Sequence, residues 1–168
     1  MPYLIDGNNV IGGMGNLDPD PHKSRKRLIS ELAIFIKATR QKVRVVFDGA
    51  QDPDFPEGAR MRGVHVSYAK SGSDADQRIK DVVRRSTSPR DITVVSSDRD
   101  LSSFVSARGA KIMSSRDFRY ELDNAREQLS MTEKTHLSLN IDVEEWMKFF
   151  LEKESNKLKG SKDPSRIK

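Results

Sequence analysis

The sequence predicts an α/β protein, with a central parallel sheet of about five strands covered by helices on both faces. Three observations predict it. Short apolar runs alternate with longer stretches whose apolar residues recur at helical spacing. Most of the runs are closed by glycine or aspartate, which end a strand and begin a turn. A chain of 168 residues suffices for one domain that buries roughly two thirds of its unfolded surface, so a sheet hidden on both sides needs no covalent staple.

The elements follow in order. Tyr3-Leu4-Ile5 reads as a buried strand ending in a sharp turn at Asp6-Gly7-Asn8-Asn9. Residues 12–21, with three glycines and two prolines, read as a loop. Between 22 and 41, Leu28, Leu32, Phe35 and Ile36 recur at i, i+4, i+7 and i+8, which marks an amphipathic helix. Val43 to Phe47 is a second strand, closed by Asp48-Gly49, and residues 50–63 read as a polar loop. Val64 to Tyr68 alternates as a third strand. Ala75, Ile79, Val82 and Val83 then set a helix over 74–87. Ile92 to Val95 is the most strand-like run. A short helix over 99–108 stops at Gly109, and Ala110 to Met113 makes a fifth strand. Ser115 is expected to cap a helix reaching about residue 129. Beyond a linker, Val143, Trp146, Met147, Phe150 and Leu151 share one helical stripe over 142–154, expected to pack within the chain. The expected organisation is a domain over 1–130, a linker and amphipathic helix over 131–154, and a flexible basic tail over 155–168.

Composition excludes whole classes of chemistry. There is no cysteine, so disulfides, iron–sulfur clusters and thiol nucleophiles are out. His22, His65 and His136 show no paired-ligand spacing, so any metal must be held by oxygen. No run approaches a membrane span. The opening MPYLIDGNN lacks the basic stretch and apolar run of a secretory leader, so a cytoplasmic setting is expected. Net charge is +5 with a pI near 9.5, which suits a nucleic-acid partner without requiring one. Residues 152–168 hold six basic and three acidic side chains, a concentrated positive tail.

The acidic residues fall in a pattern. In a parallel sheet the ligand crevice lies outside the carboxyl ends of the strands. Asp6, Asp48 and Asp98 each follow a predicted strand at that edge, with Asp100 two residues on. Asp74 and Asp76 open the helix after the third strand, and Asp76 shares the stripe of Ile79 and Val83, which turns it toward the sheet. Crowded carboxylates repel unless a cation neutralises them. Mg²⁺ and Mn²⁺ take oxygen ligands and favour phosphodiester hydrolysis. Each residue also has a purely structural reading. Asp6-Gly7 and Asp48-Gly49 fit turns, Asp98 and Asp100 fit a helix start, and Ser73-x-x-Asp76 resembles a capping box. The basic run Lys23, Arg25, Lys26 and Arg27 fits a solvated helix face or a phosphate contact.

Four segments taken together carry a family likeness: LIDGNN at 4–9, VVFDG at 45–49, SDADQRI at 73–79 and VVSSDRDL at 94–101. In this order and spacing they resemble the NYN domain, in particular its small bacterial YacP-like branch, from about residue 2 to 130. The resemblance implies a PIN-like three-layer fold with an acidic cluster that binds Mg²⁺ or Mn²⁺, and a ribonuclease activity. By position it implies Asp6, Asp76 and Asp98 as the main catalytic and metal-binding residues, with Asp100 (catalytic) and Asp48 (metal) ranked behind them and Asp74 a helix-start residue. Asn8, Asn9 and Ser97 would contact substrate, joined by Lys23, Arg25 and Arg27. The expected activity is a metal-dependent endoribonuclease acting on RNA, mRNA or ribosomal RNA on the ribosome included, with no membrane partner. Two other readings stand beside it. One is a catalytically silent RNA- or ribosome-binding module. The other is a flap- or Toprim-like DNA-processing nuclease, although Toprim domains place glutamate where this chain has Asp6.

Overall fold

The computed structural model describes residues 2–15 and 18–132. The chain divides into two units, Met1–Leu129 and Ser130–Lys168, and the fold is that of the first. The predicted helix over 142–154 and the tail over 155–168 lie outside the described residues.

Six strands form one sheet: β1 (Pro2–Asp6), β2 (Lys42–Phe47), β3 (Arg60–Met61), β4 (Val64–Tyr68), β5 (Thr93–Val95) and β6 (Lys111–Met113). Their order is β3-β4-β2-β1-β5-β6. All neighbours run parallel except β3, which pairs antiparallel with β4. Helices α1 (Gly7–Gly13), α2 (Pro21–Thr39), α3 (Ala75–Arg85) and α4 (Arg99–Ala107) are followed by α5, which runs from 115 to the last described residue, 132. Among the described residues, no helix is long and apolar enough to cross a membrane.

Strand alternation sorts the apolar residues into two cores. On one face Ile5, Val45, Phe47 and Val66 pack with Leu28, Leu32 and Phe35 of α2 and Phe118 of α5. On the other, Leu4, Val46 and Val94 pack with Ala75, Ile79 and Val83 of α3 and Leu101 and Val105 of α4. The result is the expected three-layer, PIN-like sandwich. The chain steps outward from β1 through β2 to β4, then returns to β5 on the other side of β1. That reversal opens a crevice at the carboxyl ends of β1 and β5.

Local departures from the sequence reading have physical causes. The turn expected at Asp6–Asn9 is a helix, because Asp6 caps it by accepting the Asn9 N–H at 3.0 Å. The polar loop over 50–63 contains β3, which satisfies the open edge of β4, and it buries Phe55. The sheet is therefore mixed and has six strands. Ser114 caps α5, not Ser115: the Asp117 N–H donates to Ser114 Oγ, whose hydroxyl donates back to the Asp117 carboxylate. Helix α3 is capped by Asp74, which accepts the Gln77 N–H, and Ser73 is not its cap.

Candidate active site

Strand register assembles the site. Asp6 ends β1 level with Val46 of β2, so Asp48 stands two residues further along the same face. Leu4 pairs with Val94 and Ile5 with Val95, which places Ser96 beside Asp6 just beyond the ladder. Asp98 follows as the cap of α4, and Asp76 sits in the first turn of α3. Four elements thus deliver Asp6, Asp48, Asp76 and Asp98 to one rim.

Three of the four also hold backbone. Asp6 is buried; it accepts the Asn9 N–H through one oxygen and the Ser96 hydroxyl, at 3.3 Å, through the other. Asp48 accepts the Ala75 N–H and so ties the end of β2 to the start of α3. Asp98 accepts the Leu101 N–H at 2.7 Å. Asp48 and Asp98 each keep a second oxygen outside these bonds. Asp76 is different: among the described residues its half-buried carboxylate accepts no hydrogen bond.

The electrostatics follow. Partial burial, then the charges of Asp98, Asp6 and Asp74, push the Asp76 carboxyl up to about 6, against a small opposing effect of Lys80. Burial also raises Asp6, with Asp48 adding to it, while the bonds from Asn9, Ser96 and Asn8 oppose the shift. The rim is a set of oxygen donors held together against their own repulsion.

The polar residues around it are pinned. Asn9 Oδ1 accepts the Ser97 N–H at 2.9 Å and the Ser115 hydroxyl. This orients the amide so that its Nδ2 is the donor left over. Ser97 is exposed, and its Oγ accepts the Ser115 N–H, which leaves its own hydroxyl hydrogen to give. Buried Ser96 bridges two aspartates, donating to Asp6 and accepting the Asp98 N–H at 3.2 Å. The sequence reading gives Ser96 no role, and Ser115 only that of a helix cap. Period-two alternation from Leu4 and Val94 would have placed Ser96 beside Asp6; Ser115 carries no such signal, because its position depends on a contact across 106 residues.

The remaining candidates are more scattered. Asp100 is exposed in the first turn of α4. Asn8 is exposed beside a shallow depression that Arg25 also lines. Lys23 and Arg27 are exposed along a second depression between α1 and α2. Arg25 is committed to structure: it donates to the carbonyls of Asp48 and Ala50 at 2.7 and 3.0 Å and lies over the rings of Phe47 and Tyr68.

Another cluster lies at the start of α2. His22, Asp52 and Asp54 bring their ligand atoms within 4.8 Å of one another and could hold a cation, whereas the rim aspartates are spread more widely. His22 Nδ1 lies 2.6 Å from Asp52 and its Nε2 lies 3.5 Å from Asp54, so the ring bridges the two carboxylates. Burial would raise the Asp52 carboxyl, but the His22 and Asp54 hydrogen bonds and the charges of His22 and Arg25 hold it below the usual range. Phe55 stacks on His22, and the Tyr68 hydroxyl donates to the Phe55 carbonyl, so the cluster fastens the 50–56 segment.

Comparison with known proteins agrees with this architecture. The model of the YacP-like NYN domain family matches residues 3–159, further than the stretch read from the motifs. The crystal structure of Rae1 (YacP) from Bacillus subtilis is similar at a TM-score of 0.69 and 22% identity, covering 96% of this chain and 95% of that one. A tryptophan-to-leucine variant of the same protein is similar at a TM-score of 0.68 and 24% identity, over 82% of this chain and 84% of that one. No curated protein matches the sequence.

Proposed function

Because the chain belongs to the YacP-like NYN domain family, a branch of the PIN-like nucleases, we propose that it is a cytoplasmic, divalent-metal-dependent endoribonuclease. Its substrate is RNA, mRNA or ribosomal RNA on the ribosome included, and its site is the aspartate rim. The observation that carries this reading is Asp76: a carboxylate without a hydrogen bond among the described residues, raised to about 6 beside Asp98 and Asp6. Folding tolerates such a group where a cation offsets the charge.

The donor set fits Mg²⁺ or Mn²⁺, because every group on the rim is a hard oxygen ligand. Asp6, Asp76 and Asp98 would hold the ion, with Asp48 completing the set through its second oxygen. The wide spacing of the carboxylates suits an ion that keeps part of its water shell. When bound, such an ion lowers the pKa of water and offsets charge on the phosphoryl oxygens. The chain's own groups do the rest. Asn9 Nδ2 and the Ser97 hydroxyl donate to non-bridging oxygens and orient the phosphate. Ser96 fixes Asp6 relative to Asp98. Asp100, exposed in the first turn of α4, would take a proton from the attacking water. Lys23 and Arg27 attract the strand from the side of α1.

RNA cleavage by single-site variants tests the reading. Asp76→Asn and Asp98→Asn should each lower cleavage by at least about 100-fold, the scale of losing one preorganised electrostatic group. Asparagine keeps the cap at 98, so the fold should survive. Asp74→Asn, which keeps the α3 cap, should stay within a few-fold of wild type. Full activity in both rim variants would sink the assignment.

A further inference from the structure

Three cations converge on one ring outside the rim. The Lys80 ammonium lies 6.0 Å from the Phe104 ring centroid, the Arg84 guanidinium 5.6 Å and the Arg108 guanidinium 5.1 Å. One direct ion pair answers them: Asp81 pairs with Arg84 at 2.6 Å. Lys80 and Arg108 have no ion pair among the described residues. An aromatic face rewards a single cation; three around one ring repel each other and leave an excess of positive charge.

Helical spacing connects this cluster to the rim. Asp76, Lys80 and Arg84 follow at i, i+4 and i+8 along one flank of α3, beside its buried stripe Ala75, Ile79 and Val83. Asp100 and Phe104 follow likewise along α4, beside Leu101 and Val105, and Arg108 is its C-cap. The contacts at Phe104 show that the two flanks face each other. Both helices begin at the carboxyl rim, so the seam between them has carboxylates at one end and cations at the other. Lys80 already acts electrostatically on Asp76. At 1.5 Å per residue, Arg84 lies about 12 Å along the axis from Asp76. Complementing the helix dipole accounts for a cation in the last turn, such as Arg84. It does not account for Lys80 in mid-helix, or for the convergence on one ring.

We propose that the cations along this seam hold the backbone phosphates of single-stranded RNA flanking the bond held at the rim. Lys80, Arg84 and Arg108 make the contacts, and Phe104 holds the three cations in place. The direction of the track rests on the nuclease reading, but its existence is a matter of binding and can be measured without cleavage.

The test uses the full chain in EDTA and a fluorescently labelled single-stranded RNA, with anisotropy read from about 50 to 200 mM salt. Replacing Lys80, Arg84 and Arg108 together by alanine should weaken binding at least tenfold. It should also flatten the log–log salt slope by about 2, since each lost contact to a single strand removes about 0.7. Lys80→Gln alone, a mild mid-helix change that keeps the fold, should flatten the slope by about 0.7. Arg84→Lys with Arg108→Lys should retain the wild-type slope. The control removes three other cations, Lys42, Arg44 and Arg60, from strands β2 and β3, and should leave the slope nearly unchanged. An equal loss in the control would mean diffuse attraction and overturn the track. So would an unchanged slope in the seam variants, or a wild-type chain that does not bind. Track-dependent binding without Mn²⁺-dependent cleavage would instead reject the nuclease reading and leave the track standing.

Discussion

Asp76 links the stability of the chain to pH. Its carboxyl is raised to about 6, so between about pH 4 and 6 the folded metal-free chain binds a proton that the unfolded chain has lost. Stability therefore falls as pH rises through that window and levels off above it. Asp6, raised by burial, acts in the same sense. In Asp76→Asn this fall should largely disappear, and the variant should melt above wild type at pH 7 but not at pH 4. Thermal melts in EDTA across that range check it; a wild-type melting temperature that climbs from pH 4 to 6 in step with the variant would contradict it. Mn²⁺ should raise the wild-type melting temperature at pH 7.5, less at pH 5 where Asp76 is protonated, and hardly at all in the variant. The sequence placed Asp6, Asp48, Asp76 and Asp98 at one edge, since strand ends and helix starts can be read locally. It offered structural and chemical readings for each as alternatives. The structure shows that capping does not remove them from the edge: Asp6 and Asp98 cap helices with one oxygen while standing at the rim. Ser115 was beyond reach, because nothing local says which hydroxyl meets Asn9.

At the scale of elements, the first helix decides how Asp6 and Asn9 are held, and its two glycines behave differently. A β-carbon on Gly7 would fall 2.4 Å from two ring carbons of Phe47, a fully buried side chain with no room to move. A β-carbon on Gly12 would meet nothing within 4 Å. Gly7→Ala should therefore cost about 1–3 kcal/mol, the usual scale of overpacking. Gly12→Ala should gain about 0.4–1 kcal/mol by stiffening the unfolded chain. Urea denaturation of the two variants checks both; equal effects would mean that the packing of α1 on β2 is not as described. Helices α2, α3 and α4 were legible because their apolar stripes run for several turns. Helix α1 was not, because LIDGNN carries the signature of a turn and seven residues are too few to show a period. The two-residue β3 was hidden in a stretch rich in proline and glycine for a related reason: its partner edge, not its composition, makes it a strand.

For the molecule as a whole, the strand order matters most. The return of the chain to β5 beside β1 turns carboxylates distant in sequence into neighbours, and Asp6 and Asp98 flank the point of reversal. Alternation of strands and helices announced the parallel sheet but not its order, which depends on packing both cores at once. The basic side chains divide along the same lines. Arg25 secures the end of β2, whereas Lys80, Arg84 and Arg108 converge on the ring of Phe104. A crystal of the chain soaked in Mn²⁺ decides whether the rim holds a divalent ion. Anomalous density between Asp6, Asp76 and Asp98, absent from an Asp76→Asn crystal soaked in the same way, is the predicted result. An empty rim, or density confined to His22, Asp52 and Asp54, would contradict it.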